Sequence, residues 1–209
     1  MLKGVIFDLD GVLCHTDEFH YLAWKEVSDE LGLVFDRSLN SKLRGVSRKD
    51  SFRIILNENK KTMDEEAIDV ILEKKNTIYR KHLATMTSDD LDPDVIPSIE
   101  RLKRKGLKLA VGSSSKNTNT ILENLRIKEY FDAIADGTMI KKSKPDPEVF
   151  LLAAEKLELN AEECIVIEDA KAGIEAASRG GMASIAFRIP DMKSAHSLKE
   201  VADIIIQHI

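Results

Sequence analysis

The sequence predicts an α/β fold, a doubly wound parallel sheet interrupted near its start by an inserted α-helical cap. Three observations carry that reading. Short apolar runs alternate with helical segments over most of the chain. Residues 15–90 show helical periodicity and no strand, and the first apolar run ends in Asp8-Leu9-Asp10-Gly11. A chain of 209 residues suffices for one compact domain and a substantial insertion.

The strands are expected at 4–9, 107–111, 133–135, 164–167, 183–187 and 203–206. Runs that are apolar at every position, separated by helices, belong in a parallel sheet covered on both faces. The helices between them carry their own punctuation. Pro97 lies near the start of one and Gly106 after its end, Pro147 starts another, and Gly180-Gly181 closes a third.

Within the insertion, Phe19, Leu22, Ala23, Val27 and Leu31 trace one helix face that ends at Gly32. Thr62-Met63-Asp64-Glu65 reads as a capping box opening a helix through Tyr79, and the chain returns through the polar stretch Thr87-Ser88-Asp89-Asp90. The expected division is a core domain of residues 1–14 and 91–209 and a helical cap of residues 15–90. Ligands of such sheets bind beyond the carboxyl ends of the strands, so a cap leaving from that edge is expected to act as a lid over Asp8 and Asp10.

Hydrophobic residues make up 43% and charged residues 32%, with a formal charge of −5, so nothing offers a basic surface to nucleic acid. No apolar run approaches the roughly 18 residues of a membrane span, and the chain passes directly from Met1-Leu2-Lys3 into a strand. A cytoplasmic protein with a small-molecule substrate is expected. Cys14 and Cys164 lack C-x-x-C spacing, which argues against a zinc site or a disulfide.

The chemistry is concentrated where strands end. Asp8 and Asp10 follow the first run, Ser113-Ser114-Ser115-Lys116-Asn117 follows the second, and Glu168-Asp169 follows the run 164–167. Lys144-Pro145-Asp146-Pro147 forms a stiff loop before a helix. An isolated D-x-D is weak, and each later segment has an ordinary reading as well. The serines fit a strand-to-helix loop with Asn117 as cap, Glu168-Asp169 fits a helix cap, and Lys144 fits a solvated lysine. Together they fit phosphoryl transfer through a carboxylate. Such a nucleophile needs its charge and that of the phosphate offset, by Mg²⁺ on acidic ligands and by a lysine. Asp8 is then the nucleophile and Asp10, on the same side of an extended chain, the general acid and base. Asp8, Glu168, Asp169 and the carbonyl of Asp10 are the expected metal ligands. Ser113 binds a phosphoryl oxygen, and Lys144 offsets transition-state charge.

These residues, in this order, resemble the four motifs of the haloacid dehalogenase-like superfamily, over the whole chain including the cap. Within it, the cap residues resemble the β-phosphoglucomutase family. Gly45-Val46-Ser47-Arg48 is similar to that family's cap loop, whose arginine holds the distal phosphate. His20 and Thr16 are similar to its hinge histidine and threonine, Lys75-Asn76 to its cap lysine and asparagine, and Ser115-Lys116-Asn117 to its core-side contacts. The chain departs from the family at Cys14 and His15, where threonine and aspartate are common. The resemblance implies interconversion of β-D-glucose 1-phosphate and glucose 6-phosphate through β-glucose 1,6-bisphosphate, with Mg²⁺, in a monomer. It also implies that Thr16 belongs with the catalytic set.

The cap residues also make physical sense by themselves. A mutase must grip a bisphosphorylated sugar by its non-reacting phosphate, for which the planar fork of Arg48 and the point charge of Lys116 are suited. Two other readings remain open at this level. A sugar-phosphate phosphatase shares the core and lets water discharge Asp8, and a silent scaffold retains the fold alone. A dehalogenase has no need of Asp10, and a phosphonate hydrolase requires a Schiff-base lysine such as Lys75.

Overall fold

The computed structural model describes residues 1–43 and 46–209. The chain divides into two compact units, Met1–His15 with Met86–Ile209 and, between them in sequence, Thr16–Thr85. The first is the α/β core, and among the described residues the second has helices and no strand. The junctions fall at 15/16 and 85/86, where 14/15 and 90/91 are expected from the sequence. A short 3-10 turn at Ser88–Asp90 is closed by reciprocal capping, with Thr87 N donating to Asp90 Oδ2 at 2.7 Å.

The core sheet has five parallel strands in the order β3-β2-β1-β4-β5. They are β1 (Gly4–Phe7), β2 (Lys108–Gly112), β3 (Ala133–Ala135), β4 (Cys164–Glu168) and β5 (Ala183–Ala186). The central strand β1 is buried at every position, as a strand covered on both faces must be. Its register pairs Phe7 with Val111 on one side and Ile167 on the other, so Asp8 emerges beside Gly112 and Glu168.

Helices α7 (Glu148–Lys156) and α8 (Lys171–Arg179) cover one face and bury Val149, Phe150, Ala153, Ala176 and Ala177 against Ile6, Ala110 and Val166. Each large apolar side chain buried this way contributes roughly 1.5–3 kcal/mol. Helix α5 (Val95–Arg104) packs on β2 and on α9 (Leu198–Ile206), while α6 (Thr118–Asn124) follows the serine loop.

The run 203–206 is not a strand. It forms the last turn of α9, where Leu198, Val201, Ala202 and Ile205 are buried at helical spacing. Ser197 caps that helix by accepting from Glu200 N at 3.1 Å, and the Glu200 carboxylate reaches back to His196 N at 2.9 Å.

The helical unit holds α1 (Asp17–Glu30), α2 (Arg37–Ser41), α3 (Arg48–Glu58) and α4 (Glu65–Leu83). Two expectations about it are corrected. The buried face of α1 is Ala23, Trp24, Val27 and Ser28, whereas Leu22 and Leu31 are exposed, because the core is built on Trp24 stacked against Phe52 at 5.6 Å. The cap of α4 is Asp64, which accepts from Ala67 N, rather than Thr62, and the helix runs on to Leu83. No helix among the described residues is long and apolar enough to cross a membrane.

Candidate active site

The carboxyl end of the sheet gathers the core residues singled out in the sequence. Asp8 follows β1, and its N donates to Ile167 O at 2.9 Å across the β1–β4 pair. Lys144 reaches it from the loop before α7. Its Nζ donates to Asp8 Oδ1 at 2.5 Å and to Glu168 Oε2 at 2.7 Å, and it lies 4.6 Å from the centre of the Phe150 ring. Glu168 Oε1 accepts from Ala170 N at 3.0 Å, so both of its oxygens are engaged at the turn into α8.

Asp8, Glu168 and Asp169 offer carboxylate oxygens within 4.8 Å of one another. Three carboxylates thus face one ammonium, an excess of negative charge in a buried place. Burial pushes the Asp8 carboxyl up to about 7, with Glu168 adding to the rise and Lys144 opposing it. Glu168 is raised for the same leading reason, with Asp169 adding to the rise. For Lys144, burial acts against the charge, but the two carboxylates outweigh it and hold its pKa above the usual lysine value. Oxygen donors, surplus negative charge and partial burial together suit a hard divalent cation. The Asp10 carboxylate is not part of this cluster.

Glycines make the acidic cluster possible. Gly11 has φ +84°, and a Cβ there would lie 2.0 Å from Asp169 Oδ2. A Cβ on Gly173, in the first turn of α8, would lie 2.0 Å from Glu168 Cδ and Oε2. Gly173 was not singled out from the sequence. A glycine inside a helical run is its only signal, and that signal does not say what approaches it.

The serine loop follows β2. Ser113 is buried, its N donates to Ala135 O at 3.0 Å, and its Oγ accepts from Ser115 N at 3.1 Å. Asn117 does not cap α6 through its side chain; instead its N donates to Ser115 Oγ at 3.2 Å. Asn117 is buried and Lys116 exposed. The sequence also passed over Asp136. It is buried just after β3 and accepts from Asn119 Nδ2 at 2.9 Å and from Thr138 N at 2.8 Å, bracing α6 near the serine loop.

His15, one of the two positions where the chain departs from the resembled pattern, stands 3.5 Å from Asp92 and 3.3 Å from Arg188 Nη1, and Arg188 Nη2 donates to Asp92 at 3.0 Å. Cys14 and Cys164 are free and buried.

The helical unit makes its own polar cluster. His20 on α1 stacks on Tyr79 of α4 with ring centres 4.1 Å apart, and Lys75 Nζ lies 2.8 Å from His20 Nδ1 and 4.5 Å from the Tyr79 ring centre. Burial, then the charges of Lys75 and Arg48, holds the His20 ring well below its usual value. A neutral ring that accepts from an ammonium at Nδ1 carries its proton on Nε2.

Arg48 opens α3 and donates to Asn76 Oδ1 at 2.9 Å, with Glu73 3.7 Å away. Ser47 serves as the cap of that helix, its Oγ accepting from Asp50 N, and Val46 N donates to Leu43 O at 3.1 Å. Thr16 is buried at the start of α1, and its carbonyl accepts from His20 N at 3.0 Å. Gly45 lies outside the described residues.

Residues 5–187 match the model of the haloacid dehalogenase-like hydrolase family. The chain belongs to that family. It is 40% identical over 188 residues to a β-phosphoglucomutase of Bacillus subtilis, covering 88% of this chain and 82% of the relative. It is 30% identical over 207 residues to a phosphorylated carbohydrates phosphatase of Thermotoga maritima, covering 97% and 93% of the two chains. A crystal structure of β-phosphoglucomutase from Clostridium difficile superposes with a TM-score of 0.92 at 34% identity, over all of this chain and 96% of that one. The strand ends that hold Asp8, Ser113 and Glu168 all lie within the matched span of this hydrolase family.

Proposed function

We propose that this hydrolase-family chain is a Mg²⁺-dependent phosphotransferase that interconverts β-D-glucose 1-phosphate and glucose 6-phosphate through phosphorylated Asp8 and β-glucose 1,6-bisphosphate. The observation that carries the chemistry is the buried contact of Lys144 with both Asp8 and Glu168, at 2.5 and 2.7 Å. It leaves a carboxylate nucleophile oriented and its charge offset at the centre of the sheet edge. The similarity to a β-phosphoglucomutase at 40% identity supports the mutase over other uses of that core.

The carboxylate of Asp8 attacks phosphorus in line as the phosphorus–oxygen bond to the sugar breaks. Asp10 gives its proton to the leaving oxygen and, in the return step, takes one from the incoming hydroxyl. Ser113 Oγ already accepts from Ser115 N, which leaves its own hydrogen to donate to a phosphoryl oxygen. Lys144 balances charge spread over the transferring group. A cation held by Asp8, Asp169 and the Asp10 carbonyl, with Glu168 beside them, would supply further charge neutralisation there.

The non-reacting phosphate falls to Arg48, fixed by Asn76 at 2.9 Å, with Ser115, Lys116 and Asn117 contributing from the core. His20, Lys75 and the segment Gly45, Val46 and Ser47 complete the substrate-binding set of the cap, and Thr16 belongs with the catalytic set.

A second reading is favoured by the phosphatase relative from Thermotoga maritima: the same core, with water discharging Asp8. Both are tested by incubating the protein with Mg²⁺, β-glucose 1-phosphate and a trace of its 1,6-bisphosphate, with the α anomer as control. Glucose 6-phosphate as the main product is expected. Free phosphate as the main product overturns the mutase in favour of the phosphatase. Arg48→Ala is expected to lower mutase turnover while slow hydrolysis of phosphorylated Asp8 continues, and equal loss of both in a folded variant refutes its role.

A further inference from the structure

Lys144 is carried by the loop of residues 141–147; Lys142 Nζ stands 3.6 Å from Asp146 Oδ2 within it, and its first half is tied to α7 by one side chain. The Glu148 carboxylate, in the first turn of α7, accepts from Lys141 N at 3.0 Å to each oxygen and from Lys142 N at 2.8 Å. The second half closes locally, with Asp146 N donating to Ser143 O at 3.1 Å and Glu148 N donating to Asp146 Oδ1 at 3.1 Å. Lys141 and Lys142 are exposed, so burial of their side chains does not anchor this segment. Two residues beyond Glu148, Phe150 sets its ring 4.6 Å from Lys144 Nζ.

We propose that Glu148 is a positioning residue for Lys144: its carboxylate folds the loop onto α7 so that Nζ spans Asp8 and Glu168. The role of Lys144 rests on the phosphotransfer reading, whereas the clamp itself does not. Bonds from two successive backbone N–H groups to one ionised carboxylate are charge-assisted and directional. Lys144 must meet one oxygen just beyond β1 and another at the last residue of β4, at 2.5 and 2.7 Å, which leaves about half an ångström of tolerance. An aspartate at this position is one methylene shorter and reaches less far. A glutamine keeps a single acceptor oxygen and turns an NH₂ group towards the loop donors.

The test compares Glu148→Ala and Glu148→Gln in the full chain, with Mg²⁺ and p-nitrophenyl phosphate as the substrate. Glu148→Ala is expected to lower kcat on the order of tenfold to a hundredfold with little change in KM, and Glu148→Gln is expected to fall between it and the parent. Amide exchange at Lys141 and Lys142 is expected to rise at least about tenfold. In a Lys144→Met background, adding Glu148→Ala is expected to change turnover by no more than about twofold, because the clamp then holds nothing that acts.

An unchanged kcat in Glu148→Ala, or an equal loss in the Lys144→Met background, overturns the proposal. A parent protein that turns over no phosphate ester would instead retire the phosphotransfer reading. The clamp is then decided by a crystal structure of Glu148→Ala. Nζ displaced from Asp8 or Glu168 sustains the clamp, and Nζ still bonded to both overturns it.

Discussion

Replacing Lys144 with methionine keeps an unbranched side chain one atom shorter and removes its charge, leaving two buried carboxylates without the ammonium between them. In the parent, Lys144 is 4% exposed and its partners Asp8 and Glu168 are 10% and 1% exposed, so water compensates little of the loss. Breaking a buried ion pair by removing one partner costs about 3–5 kcal/mol. The fold can lower that cost by protonating Asp8, and this makes the effect depend on pH.

The Asp8 carboxyl titrates near 7 in the folded parent and near 3.8 in the unfolded chain. Folded protein therefore holds a proton that the unfolded chain has released across that interval. Its contribution to stability falls as the pH rises from about 4 to 7, then levels. Without Lys144 the folded value moves above 7, so the variant keeps losing stability where the parent has stopped. The gap between the two should widen by about 1.4 kcal/mol for each pH unit above 7. Urea unfolding followed by far-ultraviolet circular dichroism, in chelator at pH 6, 7 and 8, measures it. A loss under about 1 kcal/mol at pH 8, or a gap that narrows as pH rises, would refute the electrostatic account.

Three further outcomes follow from particular contacts. Mg²⁺ at about a hundred times its measured Kd should stabilise the parent by about 2.7 kcal/mol, raising Tm by roughly 5–10 °C, and Asp169→Asn should remove most of that shift in a thermal melt. His20 is held neutral in the fold while the unfolded chain takes a proton below about 6.5. The stability of the helical unit should thus be full above that pH and fall below it, by up to about 1.4 kcal/mol per unit. Trp24, the single tryptophan and buried in that unit, reports this by fluorescence, and a slope that persists in His20→Gln excludes the residue as its source. Ser28 Oγ is buried with no hydrogen-bond partner among the described residues, so Ser28→Ala should raise stability by about 1 kcal/mol in urea, and a loss of that size would reveal a hidden bond.

What the sequence disclosed follows from how each feature is encoded. Asp8, Ser113 and Glu168 were legible because each follows an apolar run that can only be a buried strand, and strand order then delivers them to one sheet edge. The run 203–206 misled for the same reason. Three isoleucines after an aspartate fit a strand as well as the buried turn of a helix, and length alone does not separate them. The deciding signal lay upstream in Ser197-Leu198-Lys199-Glu200, where Ser197 Oγ accepts from Glu200 N while the Glu200 carboxylate reaches one residue further back, to His196 N. In α1 the apolar count pointed to Leu22 and Leu31, but a single large Trp24 with a flat partner in Phe52 turned the helix about its axis. Gly173 and Glu148 were not legible at all. Their importance is a distance to a group elsewhere in the chain, and nothing in the neighbouring residues encodes it.

On the proposed phosphotransfer chemistry, the division between mutase and phosphatase does not lie at the carboxyl end of the sheet. Asp8, Glu168 and Asp169 outnumber the single ammonium of Lys144, and a cation held among them would serve the same purpose whichever oxygen later accepts the phosphoryl group. A second phosphate gains nothing from that surplus; it needs separate positive charge with fixed geometry. In the helical unit Arg48 is held by a neutral amide at 2.9 Å and by Glu73 at 3.7 Å, which orients the guanidinium without spending its charge on a close carboxylate. Lys75 likewise meets the neutral ring of His20 at 2.8 Å. On the proposed reading, a second anion site needs cations held in fixed orientation, and Arg48 held by the Asn76 amide is the residue of the helical unit at which that requirement is to be tested.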